Sequence, residues 1–185
     1  MASEQELLVQ FKQGDVNAFR ALVEQYTPPI YNLALRLLRD SMEAENLTQD
    51  TFLRVLNARE RIRADLPFKP YVFRIAVNAC RDRARKHQPV LFTDLARAEE
   101  LPDDELFSDH SAPLEDSLAE QELHTRLFNA VETLPHHYQV VITLRYTEEL
   151  SYEEIAATLD LPLNTVRTHL RRAKKLLRAK LGARD

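Results

Sequence analysis

The side chains best suited to bind a ligand lie between Ser151 and Ala173. Ser151 followed by Glu154 is a capping-box pattern, in which the hydroxyl and the carboxylate bond free backbone amides of a first helical turn. The sequence Asp160-Leu161-Pro162 then predicts a tight turn, because Asp tolerates the left-handed backbone conformation. Two helices joined by this turn are predicted, over residues 151–159 and from Pro162 to about Lys180.

The second of these helices carries side chains that suit a DNA groove. Its predicted buried positions are Val166, Leu170 and Ala173, which leaves its polar residues, His169 included, at or near the surface. Asn and Arg can bond base edges in the major groove, and Lys and Arg also meet phosphates. From Arg167 to Arg184 there are eight basic residues and no acidic one, a pattern typical of polyanion binding. The predicted DNA-contacting residues are Asn164, Thr165, Arg167, Thr168, Arg171, Arg172 and Lys175.

The alternative for this stretch is an ordinary helical hairpin with a solvated basic face. The capping box, the turn and the polar first turn occur together here, which favours a DNA-binding helix-turn-helix instead.

No arrangement of residues in this chain predicts catalysis. The six histidines are scattered, and His136-His137 has no nearby cysteine or carboxylate pair to complete a metal site. The two glycines, Gly14 and Gly182, are too few for a Gly-rich phosphate loop. We therefore predict neither an enzyme nor a bound metal or cofactor, and an enzyme with an appended DNA-binding domain is disfavoured.

The composition of the 185 residues predicts an all-α protein. Glycine is scarce and long stretches are rich in Leu, Ala, Arg and Glu, which favour helices over hairpins. The single cysteine, Cys80, lies in an apolar run and suggests a packed thiol in a reducing compartment. No apolar stretch reaches the roughly 18 residues that span a bilayer, and the first residues lack a basic signal-peptide flank. We expect a cytoplasmic protein with no membrane insertion.

Helix boundaries in the first half are predicted from capping residues and prolines. The first helix should stop near Gly14, and Asp15 should cap the second. Pro28 and Pro29 are expected to break the chain and start another helix, and Ser41 to cap the next one. Pro67 should begin a helix that runs to about residue 86.

The charge distribution divides the chain into two domains and an acidic linker. Residues 1–88 carry 14 basic and 11 acidic residues, a net of +3, and residues 117–185 carry ten and nine, a net of +1. Residues 89–116 carry one basic and nine acidic residues, a net of −8, with little periodicity. We predict two small helical domains, 1–88 and 117–185, joined by a flexible acidic linker. Helices over 117–133 and 135–146 should precede the helix-turn-helix.

Motifs in both predicted domains resemble those of extracytoplasmic-function sigma factors. The family's fourth conserved region is matched by Leu134–Val141, Leu144–Tyr146, Glu149–Ala156, Thr165–Arg167 and Arg172-Ala173. Its second region is matched by Asp15, Ala18, Phe19, Leu22, Tyr26, Ile30, Tyr31, Ala34 and Arg36, then by Ala44–Leu53, Phe68, Phe73–Ala76 and Asn78. The resemblance covers nearly the whole chain apart from the linker, in the family's order.

The resemblance implies a subunit that gives bacterial RNA polymerase its promoter specificity, DNA melting and transcription initiation. The implied partners are core polymerase (the clamp helices of its largest subunit and its flap), promoter DNA and a cognate anti-sigma factor. Core polymerase would be bound by Asn46, Gln49, Asp50 and Arg54, with Leu47, Phe52 and Val55 facing inward. The minus-ten element would be bound by Arg61, Arg63, Arg74, Asn78, Arg81 and Arg85. The helix-turn-helix would bind the minus-thirty-five element.

Three further expectations concern the aromatic residues, the acidic linker and one departure from the family's pattern. Phe73, Ile75 and Tyr71 are expected to pack in the core in preference to stacking on bases. The acidic linker is either a tether that sets domain spacing or a segment that threads the polymerase channels. Asn164 stands where the family usually has glycine, so the resemblance does not carry the family's exact minus-thirty-five sequence over to this chain.

A free-standing helix-turn-helix regulator is the alternative function. Such a regulator has no need of the Ala44–Leu53 run, so binding to core polymerase would separate the two hypotheses.

Overall fold

The computed structural model describes residues 3–87 and 117–182, with side chains over 3–83 and 125–182. The predicted linker, 89–116, lies outside the described residues. The helices are α1 Glu4–Lys12, α2 Val16–Leu38, α3 Ser41–Asn57, α4 Phe68–His87, α5 Ser117–Glu132, α6 His136–Ile142, α7 Tyr152–Leu159 and α8 Leu163–Gly182. A 3₁₀ turn, Arg59–Arg61, follows α3, and a π-helical turn, Thr143–Thr147, follows α6. Over these two described ranges there is no strand, so the all-α prediction is confirmed.

Local capping chemistry sets several helix starts. Asp15 accepts hydrogen bonds from the amides of Asn17 and Ala18, as predicted. The prediction for Ser41 is wrong, because Asp40 caps α3 and Ser41 is the first residue inside the helix. The Asp40 carboxylate accepts from the amides of Met42 and Glu43 at 2.9 and 3.0 Å.

The predicted break at Pro28 and Pro29 is also wrong, because α2 runs unbroken through both prolines. An interior proline removes a backbone hydrogen bond and costs about 3 kcal/mol. The buried stripe of α2 continues across the prolines from Tyr26 to Ile30 and Leu33. Burying each large apolar side chain gains roughly 1.5–3 kcal/mol, so tertiary packing offsets the local preference.

The N-terminal core forms where α2 packs against α1, α3 and α4. Leu22, Ile30, Leu47 and Phe73 are fully buried in it. Cys80 is fully buried as well, which confirms the packed thiol, and burial raises its pKa to about 12.

The C-terminal core is built from α5 to α8. Val140, Leu144, Ile155 and Val166 are fully buried there. Gln139 closes the corner between α5 and α6, since its side-chain amide donates to two backbone carbonyls at 2.8 Å. The predicted helix over 135–146 is α-helical only to Ile142, after which the backbone widens into the π-helical turn.

The two halves touch each other, chiefly where α4 packs against α7. The domain boundaries at 88 and 117 stay a prediction. Among the described helices, none combines the length and the apolar character that a bilayer span requires.

Candidate nucleic-acid interface

Helices α7 and α8 form the predicted helix-turn-helix. Ser151 and Glu154 make both bonds of the capping box, at 2.7 and 3.1 Å. Asp160 adopts the left-handed conformation, with φ 55° and ψ 49°, and ends α7. The carbonyl of Pro162 then accepts from the amides of Thr165 and Val166, and α8 begins at Leu163. The sequence prediction for this turn is confirmed.

The predicted DNA-contacting side chains of α8 lie along one stripe. Val166, Leu170 and Ala173 are buried on the inner face, as predicted. The opposite stripe recurs every three or four residues, which is the spacing of one helix face. Its exposed members are Asn164, Arg167, Arg171 and Lys175, and its partly buried members are Thr165, Thr168 and Arg172.

His169 is not at the surface, contrary to the sequence expectation. Its side chain is 1% exposed and packs edge-on to Tyr138, with ring centres 5.7 Å apart. Neither ring nitrogen has a hydrogen-bond partner among the described residues. Desolvation, with the nearby His137 and Arg172, lowers the pKa of His169 to about 4. The side chain therefore belongs to the core of the domain.

The predicted polymerase-contacting residues lie on α3. Asn46, Gln49 and Arg54 are exposed. Asp50 is half-exposed and pairs with Arg83 of α4. Leu47, Phe52 and Val55 are buried, as expected.

Apolar side chains that the sequence reasoning missed extend this face. Met42, Leu53 and Leu56 are 71%, 57% and 43% exposed. Together with Asn46 and Gln49 they recur at helical spacing along one side of α3. Their spacing could have revealed them, but leucine and methionine on a helix are ordinarily assigned to the core.

The predicted minus-ten residues lie on α4 and on the loop before it. Arg74 and Asn78 are exposed and Arg81 is partly buried, at positions that share one side of α4. Arg61, at the end of the 3₁₀ turn, and Arg63, on the loop that follows, are both exposed. Arg63 forms a two-point ion pair with Asp65 at 2.5 and 3.2 Å. The side chain of Arg85 lies outside the described residues.

The aromatic residues near this surface mostly belong to the core. Phe73 is buried and Ile75 and Tyr71 are partly buried, in keeping with the expected core packing, and Phe68 is buried as well. The Arg74 guanidinium lies 5.9 Å from the centre of the Tyr71 ring, close enough for a cation–π contact.

A charged contact that the sequence reasoning missed joins the two halves. Lys69 at the start of α4 donates to the backbone carbonyl of Glu148 and lies 3.8 Å from its carboxylate. Burial raises the pKa of Glu148, opposed by the charges of Lys69 and Arg36. No group of three or more His, Cys, Asp or Glu side chains in the described ranges could hold a metal ion.

Comparisons with known proteins agree with this geometry. Residues 22–90 match the family "Sigma-70 region 2" and residues 124–177 match "Sigma-70, region 4". The chain is 34% identical to the ECF RNA polymerase sigma factor SigW of Bacillus subtilis over 175 residues, 93% of each chain. It is 31% identical to the ECF RNA polymerase sigma-E factor of Escherichia coli over 178 residues, 95% of this chain and 92% of that one.

Solved structures share the fold. CnrH in complex with the cytosolic domain of CnrY matches with a TM-score of 0.70 and 24% identity, covering 98% of this chain and 99% of that one. The sigma factor RpoE in complex with the anti-sigma factor NepR, from Bartonella quintana, matches with a TM-score of 0.66 and 20% identity, covering 92% and 100%. From the two matched regions and the near full-length relatives, it follows that this chain belongs to the extracytoplasmic-function family of RNA polymerase sigma factors.

Proposed function

We propose that this sigma factor uses three separate surfaces to start transcription. The outer face of α3 binds core polymerase, the loop 61–67 with α4 binds the minus-ten element, and α8 binds the minus-thirty-five element. Polymerase supplies the chemistry, and this chain supplies binding energy and sequence selectivity. The observation that carries the proposal is the helix-turn-helix, whose second helix presents one continuous polar and basic stripe.

The α8 surface is suited to reading duplex DNA. Asn164 and Arg167 stand near the start of the helix, where a recognition helix meets base edges. Lys175 lies two turns further on, where a helix leaving the groove passes the phosphate backbone. Asn164 and Arg167 should set the sequence preference, and Lys175 should set the affinity and its salt dependence.

The α3 surface is suited to protein more than to DNA. A solvated helix face is ordinarily polar, whereas this one exposes Met42, Leu53 and Leu56 beside Asn46 and Gln49. Apolar side chains interleaved with polar ones are typical of a protein interface. Docking on the clamp helices of polymerase would bury them.

The minus-ten surface is suited to a melted strand. Arg61, Arg63 and Arg74 are exposed cations that can follow a phosphate backbone. Asn78, one turn beyond Arg74, offers an amide that can bond an unpaired base. Holding the single strand favours open over closed DNA, which is how binding alone can melt a promoter.

The acidic segment 89–116 can link the two DNA-binding surfaces. The two promoter elements are centred about 25 base pairs apart, or about 85 Å along the duplex. A fully extended chain of 28 residues reaches at most about 100 Å, which is enough. A path through the polymerase channels remains the second proposal for this segment, favoured by its net charge of −8.

A cognate anti-sigma factor is proposed as the regulator, with the chain acting in the cytoplasm. One structural relative is a sigma factor solved with the anti-sigma factor NepR. A protein that covers α3 or the DNA surfaces would silence this chain, and its copurification from cells would test the idea.

Run-off transcription tests the proposed function. Core polymerase is supplied with a promoter library, with and without this chain, and selective initiation is expected only in its presence. Gln49→Ala should weaken core binding, and Gln25→Ala is the matched control because it is an exposed glutamine on another helix. Duplex binding without any core binding would instead establish the free-standing regulator.

A further inference from the structure

Arg83, near the end of α4, bridges two carboxylates of α3. Its Nε atom lies 3.1 Å from a carboxylate oxygen of Glu43, and its Nη2 atom donates to the carboxylate of Asp50. The two acidic residues are seven positions apart, which is about two turns of a helix, so they share one side of α3. One guanidinium therefore fastens two turns of α3 to α4.

The three side chains of this cluster differ in their exposure to solvent. The Arg83 side chain is 19% exposed, whereas the side chains of Glu43 and Asp50 are 41% and 48% exposed. A planar guanidinium that bonds two acceptors at once is held in a fixed orientation. The arginine is thus the fixed member of the cluster, and each carboxylate keeps part of its surface open to a partner.

By its position in the sequence, Arg83 groups with the proposed minus-ten residues, because it stands between Arg81 and Arg85. Residues two positions apart, however, lie about 200° from each other around a helix. Arg81 shares the side of α4 that carries Arg74 and Asn78, whereas Arg83 lies on another side, where it meets α3. Its guanidinium is engaged by the two carboxylates and does not face the side that would follow a phosphate backbone.

Asp50 stands at the edge of the proposed polymerase-binding face of α3. Asn46 and Leu53 of that face lie four residues before it and three residues after it, which is the spacing of neighbours on a helix surface. The Oδ2 atom of Asp50 accepts from Arg83, and a carboxylate oxygen pair can accept several hydrogen bonds. A donor on a docking protein can therefore bond Oδ1 of this half-exposed side chain without displacing Arg83.

The cluster keeps a negative charge although it contains an arginine. Two carboxylates and one guanidinium leave a net charge of −1. A basic side chain of a partner is attracted to such a cluster and can form a charge-assisted hydrogen bond with it. If Arg83 were absent, the Asp50 side chain could adopt several rotamers, and ordering it on binding would cost affinity. The arginine thus prepares Asp50 for a cationic partner.

We propose that Arg83 is a positioning residue for polymerase binding. It holds the Asp50 carboxylate at the edge of the α3 face, where a basic side chain of core polymerase bonds it, and it takes no part in holding the minus-ten strand. The proposal rests on the proposed docking of α3 on core polymerase. It adds to that function a residue outside α3 and the chemistry of the polymerase group that Asp50 binds.

Competition with a labelled wild-type chain for core polymerase measures this positioning. Arg83→Met keeps an unbranched side chain and removes its donors, and it should weaken core binding about three- to tenfold. Arg59→Met is the matched control, because Arg59 is also partly buried and belongs to none of the proposed surfaces. At about 0.3 M salt the Debye length is roughly 6 Å, so the added negative charge of Arg83→Met is largely screened. Equal core affinity of Arg83→Met and the wild type overturns the proposal.

A second background separates positioning from a general weakening of α3. Asp50→Asn should itself bind core more weakly. In that background Arg83→Met should have no further effect on core affinity, because it acts through the Asp50 carboxylate. An equal loss in both backgrounds would mean that Arg83 only holds the two helices together, which contradicts the proposal. Urea denaturation of the same proteins ensures that core binding is compared with each of them folded.

Strand binding tests whether Arg83 belongs to the minus-ten surface. The probe is one strand of the promoter selected by run-off transcription, added to chains saturated with core polymerase. Arg83→Met should bind this strand as tightly as the wild type does, whereas Arg81→Met should bind it more weakly. Equal losses in the two variants would assign Arg83 to the minus-ten surface and refute its positioning role.

The outcomes also separate this proposal from the proposed function. If Gln49→Ala weakens core binding and Arg83→Met does not, α3 still docks on polymerase and only the role of Arg83 is refuted. If no variant of α3 changes core affinity, the polymerase-binding surface lies elsewhere and both proposals fail. Should Arg83→Met not fold, Arg83→Lys takes its place in both backgrounds, because it keeps the charge but lacks the planar fork that bonds both carboxylates.

Discussion

Lowering the pH should weaken the C-terminal domain through His169. This side chain is 1% exposed, and its pKa lies at about 4 in the folded protein against an ordinary value of 6.5. Above pH 6.5 the ring is neutral in both the folded and the unfolded chain, so it contributes no pH dependence. Below pH 6.5 the unfolded chain takes up a proton that the folded domain refuses until about pH 4. Stability is therefore lost as the pH falls through this window.

The size of the loss follows from the same two pKa values. Each pH unit between them is worth about 1.4 kcal/mol, so by pH 4.5 the free energy of unfolding should drop by about 3 kcal/mol. Other titrating groups contribute as well, Glu148 among them, and its raised pKa acts in the opposite direction. The contribution of His169 is isolated by comparing the wild type with a variant that lacks this ring.

His169→Leu is the informative substitution, because leucine has a similar size and carries no polar atoms. The wild type buries two ring nitrogens without partners among the described residues, each a cost of about 1–3 kcal/mol, so the variant should be at least as stable at pH 7. Its advantage should grow by about 3 kcal/mol at pH 4.5. Urea denaturation followed by tyrosine fluorescence at both pH values measures this difference.

Two controls accompany the measurement. Val166→Ala shortens another buried side chain of α8 and should lower stability equally at both pH values. His169→Leu should leave affinity for duplex DNA unchanged, since the ring faces inward. A stability difference between His169→Leu and the wild type that does not vary between pH 7 and pH 4.5 would refute the reasoning.

Three further predictions concern the proposed surfaces and one helix cap. Arg167→Ala should cost about 1–3 kcal/mol of duplex binding and relax specificity, whereas Lys175→Ala should weaken binding to all sequences and lower the salt slope by about one, both measured by fluorescence anisotropy. Asp40→Ala should destabilise the protein by about 1 kcal/mol in urea denaturation, and Ser41→Ala should have little effect. Leu53→Ala should weaken binding to core polymerase by roughly 1 kcal/mol without lowering stability, as measured by competition with a labelled wild-type chain.

Each of these predictions can fail in a specific way. Equal losses on every sequence for Arg167→Ala would mean that it contacts only phosphate. A larger loss from Ser41→Ala than from Asp40→Ala would contradict the observed cap. Leu53→Ala is compared with Val9→Ala, an exposed apolar residue on α1, and equal effects would remove the polymerase assignment from α3.

Features governed by neighbouring residues could be predicted from the sequence. The caps at Asp15 and Ser151 and the left-handed turn at Asp160 depend on side chains within a few positions of the backbone groups they satisfy. The break expected at Pro28 does not occur, because the apolar stripe that keeps α2 intact is buried by other helices. His169 lies at the same helical spacing as the buried Val166 and Ala173. Exposure is predicted for it only because histidine is a polar residue.

The junction between the halves could not be predicted in this way. Lys69 and Glu148 are 79 positions apart, and Thr158 and Pro70 are 88 apart. Lys69 and Thr158 each have an ordinary solvent-facing interpretation within their own helices, and the groups they bond are backbone carbonyls, which no residue type marks in the sequence. Only the packing of α4 on α7 makes them partners.

The beginning of the chain is coupled to the proposed minus-ten surface through Glu4. Its carboxylate accepts from the backbone amide of Phe68 at 3.1 Å and from the Tyr26 hydroxyl. The first amide of α4 is thus satisfied by a residue 64 positions away, at the positive end of that helix. We therefore expect a truncation, an affinity tag or a fusion partner that disturbs the first turn of α1 to disturb the start of α4 and, through it, the proposed minus-ten surface. Expression designs that place a tag before α1 should be compared with designs that leave Glu4 undisturbed.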